Sequence, residues 1–191
     1  MQESDSAAVA RVREGQGDAY RVLVERHSRS LFRLAFRMTG NEQDAEDVVQ
    51  ETLLRAYKQL HRYESRASFA TWVHRIAANC SLDLIRSRKR RQETTVVDQE
   101  ESVDFLQQVA GPDPSPERLV YSGQVQERVA AAMNELSAQE RTAFVLRHFE
   151  GQSIEEIGGA LGLNLSAAKH SVFRAVQKLR RALEPVVGSV S

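Results

Sequence analysis

Apolar residues recur at i, i+3, i+4 and i+7 along most of this chain, and strict alternation is nearly absent, so the pattern predicts helices throughout. A first short helix is expected near Asp5–Arg13, ending at Gly15. A second, near Ala19–Met38, carries Leu23, Phe32, Leu34, Ala35 and Phe36 and stops at Gly40. The third starts at Asn41, a good N-cap followed by acids in the first turn. Its buried stripe is expected to be Ala45, Val48, Val49, Thr52, Leu53, Ala56, Tyr57 and Leu60. The fourth begins near Ser68, buries Phe69, Trp72, Val73, Ile76, Ala77, Cys80 and Leu84, and ends in a basic cluster.

Farther on, a helix is expected over Pro116–Glu135. Ser137 with Glu140, and Ser153 with Glu156, have capping-box spacing and predict helices to about Phe149 and to Leu161. Gly162 breaks the second of these, Leu163-Asn164 turn the chain, and Ser166 starts a final helix to about Leu183. Short helix, glycine turn and longer helix is the sequence form of a helix-turn-helix. Ile154, Ile157 and Leu161 form one apolar face; Leu165, Ala168, Val172, Val176, Leu179 and Leu183 form the face that packs on it. Lys169, His170, Arg174, Lys178 and Arg181 remain outside, which suits the DNA major groove. The bland alternative is a helical hairpin with a solvated basic face. Gly158 and Gly159 lie inside the first helix at a cost of about 1 kcal/mol each relative to alanine. Gly158 is expected to admit close approach of the second helix.

Charge turns this into a two-module picture. The formal net charge is zero over 191 residues. Yet residues 1–92 hold 17 Lys/Arg against 12 Asp/Glu, and residues 118–191 hold 9 against 7. Between them, residues 93–117 hold seven acids and no Lys or Arg. Gly111-Pro112-Asp113-Pro114-Ser115-Pro116 cannot be helix interior, so this acidic stretch reads as a flexible linker. A nucleic-acid footprint belongs to a face and need not show in the total. The fold class is therefore all-α, with two small helical domains, 1–92 and 118–191, joined by the linker 93–117.

Other classes are disfavoured. No apolar run approaches the roughly 18 residues that a membrane span needs. The acidic start, Met1-Gln-Glu-Ser-Asp-Ser, is not a secretory signal. A lone Cys80 permits no internal disulfide and no cysteine-based zinc site, and a cytoplasmic setting is the default expectation. The five histidines are scattered without metal-ligand pairs, and no glycine-rich phosphate loop exists, so neither catalysis nor a cofactor is expected.

The first module has its own candidate chemistry. Arg62-Tyr-Glu-Ser-Arg-Ala-Ser-Phe69 precedes Thr71, Trp72 and His74, and Arg86-Ser-Arg-Lys-Arg-Arg91 follows. Aromatics beside cations suit single-stranded nucleic acid, although helical spacing supports giving Phe69 and Trp72 to the core. Five cations in six residues point to phosphate. Asn79, in an alanine-rich helical turn, is a poor interior residue; its amide suits reading a base edge, and a solvated surface asparagine is the alternative.

These pieces together resemble the extracytoplasmic-function (ECF) subfamily of sigma-70 RNA polymerase sigma factors. Asp44-Ala-Glu-Asp-Val-Val-Gln-Glu51, Leu54-Arg-Ala-Tyr57, Phe69-Ala-Thr-Trp-Val-His-Arg-Ile-Ala-Ala-Asn79, Asp83 and the Arg86–Arg91 cluster are similar to the family's second conserved region. Leu136-Ser-Ala-Gln-Glu-Arg141, Gly151-Gln-Ser-Ile-Glu-Glu-Ile157, Leu161-Gly162 and Phe173-Arg-Ala175 are similar to its fourth. The resemblance implies a promoter-recognition subunit that directs melting and initiation and is controlled by an anti-sigma factor. It implies docking on the clamp helices of the largest polymerase subunit through Asp47, Gln50, Glu51, Leu54 and Arg55, and contact with the flap of the second-largest. The −10 element would meet Arg62, Ser65, Arg66, Phe69, Trp72, Arg75, Asn79, Arg86, Arg88, Lys89, Arg90 and Arg91. The −35 element would meet Ser166, Lys169, His170, Ser171, Arg174 and Lys178. The acidic linker would thread the polymerase channels in place of RNA. This chain departs from the family at the start of the recognition helix. The usual Gly-Thr-Val and Arg/Lys-Ser-Arg run is here Ser166-Ala-Ala-Lys-His-Ser171. The rival reading is an autonomous helix-turn-helix regulator, which would bind duplex promoter without polymerase.

Overall fold

A computed structural model describes residues 4–94 and 128–187, with side chains from 4 to 91 and from 128 to 184. Most of the expected linker and the first part of the Pro116 helix lie outside the described residues. The described elements are helical, and the chain divides into two compact units, one to Leu84 and one from Ile85.

In the first unit, α1 (Asp5–Arg13) is capped by Ser4, whose hydroxyl accepts from Ala7 N. Helix α2 (Tyr20–Thr39) stops at Gly40 in the left-handed conformation, φ 70°. Helix α3 (Glu42–Gln59) opens on Asn41, whose Oδ1 accepts from Asp44 N at 2.9 Å. A 3-10 turn, Leu60–Arg62, leads through a loop to α4 (Phe69–Thr94). Large residues of α2 (Leu23, Leu31, Leu34 and Met38) are fully buried. Buried α3 and α4 positions include small ones, Ala45, Thr52, Ala56, Ala77 and Ala78, beside the larger Val48, Val73 and Leu82. The small positions let the helices close, and each buried leucine contributes about 1.5–3 kcal/mol. Burial pushes the Cys80 thiol up, so it behaves as a small apolar core group and not as a nucleophile. Tyr57, expected in the buried stripe, is 49% exposed, because it lies at the edge of that stripe on α3.

In the second unit, the helix α5 is described over 128–134 and buries Ala132 and Met133. Helices α6 (Ala138–His148) and α7 (Ile154–Leu161) both open on complete capping boxes. Gly162 ends α7 at φ 66°, a conformation that any residue with a Cβ resists. The last helix, α8 (Leu165–Val187), begins one residue before the expected Ser166. Asn164 is the reason: its Oδ1 accepts from Ala167 N at 2.8 Å and caps the helix. Gly158 matters through space. A Cβ there would stand 2.9 Å from the Leu163 carbonyl and 3.8 Å from Ala168 Cβ. The close neighbour is thus the turn's own backbone, with the second helix beyond it.

Candidate nucleic-acid interface

The loop between the 3-10 turn and α4 is a built structure. Tyr63 is buried, and its hydroxyl donates to the Ala67 carbonyl at 2.7 Å, tying the two ends together. Ser65 sits at the tip with φ 57°, a left-handed conformation uncommon outside glycine. Arg62, Ser65 and Arg66 are exposed, and Arg66 pairs loosely with Glu64 at 2.8 Å. Ser68 closes the loop by capping α4, its Oγ accepting from Thr71 N at 3.1 Å.

Beneath the loop lies an aromatic floor. The Tyr63 ring centroid is 5.9 Å from Phe69 and 5.1 Å from Trp72, and Phe69 lies 5.7 Å from Trp72. Phe69 is only 2% exposed. Its expected place against −10 DNA is thereby withdrawn: it lies in the core, as its helical spacing also allowed, and supports the half-buried Trp72. Trp72 is half-buried.

Helix α4 carries further candidates, those from Arg86 on lying past the Leu84 boundary of the first unit. At 3.6 residues per turn, Trp72, Arg75, Asn79, Arg86 and Arg90 fall within about 60° of one direction and span about 27 Å of helix. Arg75, Arg86 and Arg90 are exposed and Asn79 is half-buried. Asp83 shares that face and approaches Arg55 of α3 at 3.7 Å. Past Leu84, Arg88, Lys89 and Arg91 are exposed too, on other sides of the helix. A row of cations with an amide and an indole at one end can hold a phosphate backbone and receive unstacked bases.

A second outward face lies on α3. Asp47, Gln50 and Leu54 are exposed there, Leu54 by 48%. Glu51 and Arg55 pair at 2.5 Å, and this contact keeps the guanidinium firmly charged. Tyr57 extends the apolar part of the face, and its ring meets Tyr20 edge-on at 5.0 Å. Tyr20 itself donates to the Leu53 carbonyl at 2.6 Å; burial pushes its hydroxyl up to about 12. A cavity of about 570 Å³ lies beside Leu54 and Tyr57. Tyr57 was placed inside from the sequence because its spacing fits the core stripe.

Helix α8 sorts its candidates unevenly. Ser166, Lys169, His170 and Arg174 are exposed. Ser171 is only 5% exposed, donating to the Ala167 carbonyl and accepting from Gln139 Nε2, both at 2.9 Å. It is thereby removed from the reading set. Lys178 reaches back to Glu140 at 2.7 Å. Burial raises the Glu140 carboxyl, but the hydrogen bonds from Lys178 and Ser137 prevail and hold it below its usual range. Two large apolar groups stand outward instead: Leu165, 56% exposed, expected in the packing face, and Phe173, 58% exposed. Leu165 escapes the packing face because it is the first residue of the helix, next to the cap. On the opposite side, Val129, Met133, Phe144, Phe149, Val176 and Leu179 line a cavity of about 580 Å³.

Comparison with known proteins agrees with this two-part layout. The family model described as Sigma-70 region 2 matches residues 23–91, and that described as Sigma-70, region 4 matches residues 126–179. The chain is 34% identical to the ECF RNA polymerase sigma factor SigE of Mycolicibacterium smegmatis, over 94% of this chain and 69% of that one. It is 32% identical to the RNA polymerase sigma-H factor of Pseudomonas aeruginosa, over 97% of each. Among solved structures it is similar to the sigma factor RpoE bound to the anti-sigma factor NepR from Bartonella quintana, with TM-score 0.65, 25% identity and coverage of 85% and 93%. It is also similar to CnrH in complex with the cytosolic domain of CnrY, with TM-score 0.64, 26% identity and coverage of 96% and 99%.

Proposed function

The chain belongs to the ECF family of RNA polymerase sigma factors, and from that premise we propose how its surfaces divide the work of initiation. Bound to core polymerase in the cytoplasm, the protein directs promoter recognition, DNA melting and transcription initiation, and an anti-sigma factor controls it. It performs no chemistry of its own; the polymerase does. The α3 face, with Asp47, Gln50, Glu51, Leu54 and Arg55, docks on the clamp helices of the largest subunit. Tyr57 adds to that contact. The second unit meets the flap of the second-largest subunit.

Single-stranded −10 DNA lies along the 62–68 loop and the outward row of α4: Arg62, Ser65, Arg66, Trp72, Arg75, Asn79 and the cations from Arg86 to Arg91. The −35 duplex lies against Ser166, Lys169, His170 and Arg174. The acidic stretch after α4 stands in for RNA in the polymerase channels. The observation that carries this reading is the presence of both matched modules in one chain, in this order. An autonomous regulator needs only the second.

The test is in-vitro transcription with core polymerase on a random promoter library. Enrichment of a two-part motif upstream of the start is expected. Tight duplex binding by the chain alone, with no initiation by core, would overturn the proposal. Leu54→Asp should leave the fold intact, since the side chain is already half in solvent, and should abolish capture of core polymerase. Unchanged capture would sink the docking assignment.

A further inference from the structure

We infer that Arg13, on the N-terminal helix, is a positioning residue for the single-strand loop and makes α1 a brace for opened DNA; this rests on the loop reading above. The loop has a short supply of anchors. Arg62, Glu64, Ser65, Arg66, Ala67 and Ser68 are all exposed. Its entrance is the 3-10 turn after α3, where Tyr63 N donates to the Leu60 carbonyl at 3.2 Å.

Arg13 adds further anchors at the same place. Its Nε and Nη2 donate to the Leu60 carbonyl at 3.3 and 3.0 Å, and Nη2 also donates to the Tyr63 carbonyl. The guanidinium carbon lies 6.0 Å from the centroid of the Tyr63 ring, within cation–π range. One planar fork thus fixes both the main chain and the ring of Tyr63. The Tyr63 hydroxyl then fixes the far side of the loop at Ala67.

Helix α1 reaches the same floor from its other end. Asp5 accepts from Arg26 and lies 2.9 Å from His27 Nε2. His27 stands 5.2 Å from Phe69, the buried ring of the floor. So α1 holds the loop at Tyr63 and its support at Phe69. Arg13 is spent on backbone carbonyls and acts on DNA only through the loop's shape. A preformed pocket binds an unstacked base without the cost of ordering the loop first.

The experiment uses holoenzyme assembled from core polymerase and the full chain. Three affinities are compared: core, a −35 duplex, and a −10 non-template oligonucleotide, all taken from a promoter the parent uses. Arg13→Ala should weaken the oligonucleotide about tenfold, the scale of losing a charged hydrogen-bond pair, and leave the other two unchanged. Arg13→Lys, a point donor, should recover part of the loss. Tyr63→Phe, which keeps the ring and removes the link to Ala67, should weaken the same affinity by a smaller factor.

Parental oligonucleotide affinity in Arg13→Ala and Tyr63→Phe would overturn the brace. So would a parallel fall of all three affinities with the thermal midpoint, since that is loss of fold. Arg66→Ala, on the loop itself, separates the two levels. If it weakens the oligonucleotide and Arg13→Ala does not, the brace alone fails; if Arg66→Ala is silent, the loop reading fails and the brace with it.

Discussion

Two surfaces of this molecule carry basic and aromatic groups toward nucleic acid, and they are built on opposite plans. On α4 the candidate cations are exposed along a row, while the aromatic Phe69 is drawn into the floor. On α8 the aromatic Phe173 stands outward, while Ser171 is buried against α6 and the half-exposed Lys178 is paired with Glu140 of α6. The difference teaches that a polar residue on the polar side of a helix is not thereby available. What decides is whether a neighbouring element offers it a partner. Helix α6 does, through Glu140 and Gln139.

The contrast breaks most visibly at Phe69. Phe69→Ala should destabilise the first unit by about 3–5 kcal/mol, the range for an aromatic core truncation. Trp72→Ala, at the half-buried ring, should cost clearly less. A thermal or denaturant melt checks this, and equal, small effects at both positions would return Phe69 to the DNA-facing set.

Glu140 is the next lever. Glu140→Gln should weaken the second unit by about 1 kcal/mol, allowing for solvent screening at the half-exposed Lys178. The carboxyl is held below its usual value of 4.5 in the folded state. Its contribution is therefore present at neutral pH and is lost as pH falls through the carboxylate range. The gap in melting temperature between parent and Glu140→Gln should close under acid. A gap that is constant with pH would mean that the Lys178 pair contributes nothing.

A smaller effect sharpens the comparison on DNA. Lys169→Ala should lower −35 affinity and reduce the salt slope by about one. Lys178→Ala should change that slope less, because its ammonium is already paired. Salt-titrated binding of holoenzyme to the duplex reads both. Smallest in stability is Asn79→Ala, expected to stay within about 0.5 kcal/mol of parent. It should nonetheless reduce permanganate reactivity of the opened −10 strand. Parental reactivity would remove Asn79 from the site.

Helix existence and order, and the caps other than Asn164, were legible in the sequence, because they rest on neighbours three and four residues apart. Both capping boxes, Asn41 and Gly162 are of this kind. The helix-turn-helix was legible for the same reason; the resemblance to sigma factors rests on motifs such as Asp44–Glu51 and Gly151–Ile157. Periodicity gives the direction of a buried face but not its width, so Tyr57 and Leu165 were placed inside and stand outside. Pairing across elements was not legible at all. Ser171 meets Gln139 across 32 residues, and Arg13 meets Tyr63 across 50. No local pattern announces such partners.

Ser65 carries a consequence for how this family of loops drifts. Its left-handed backbone admits glycine, asparagine and aspartate readily and resists β-branched residues. Its neighbours Glu64, Arg66 and Ala67 are exposed in ordinary conformations. A lineage retuning its promoter preference through this loop thus has a short alphabet at position 65 and a long one on either side.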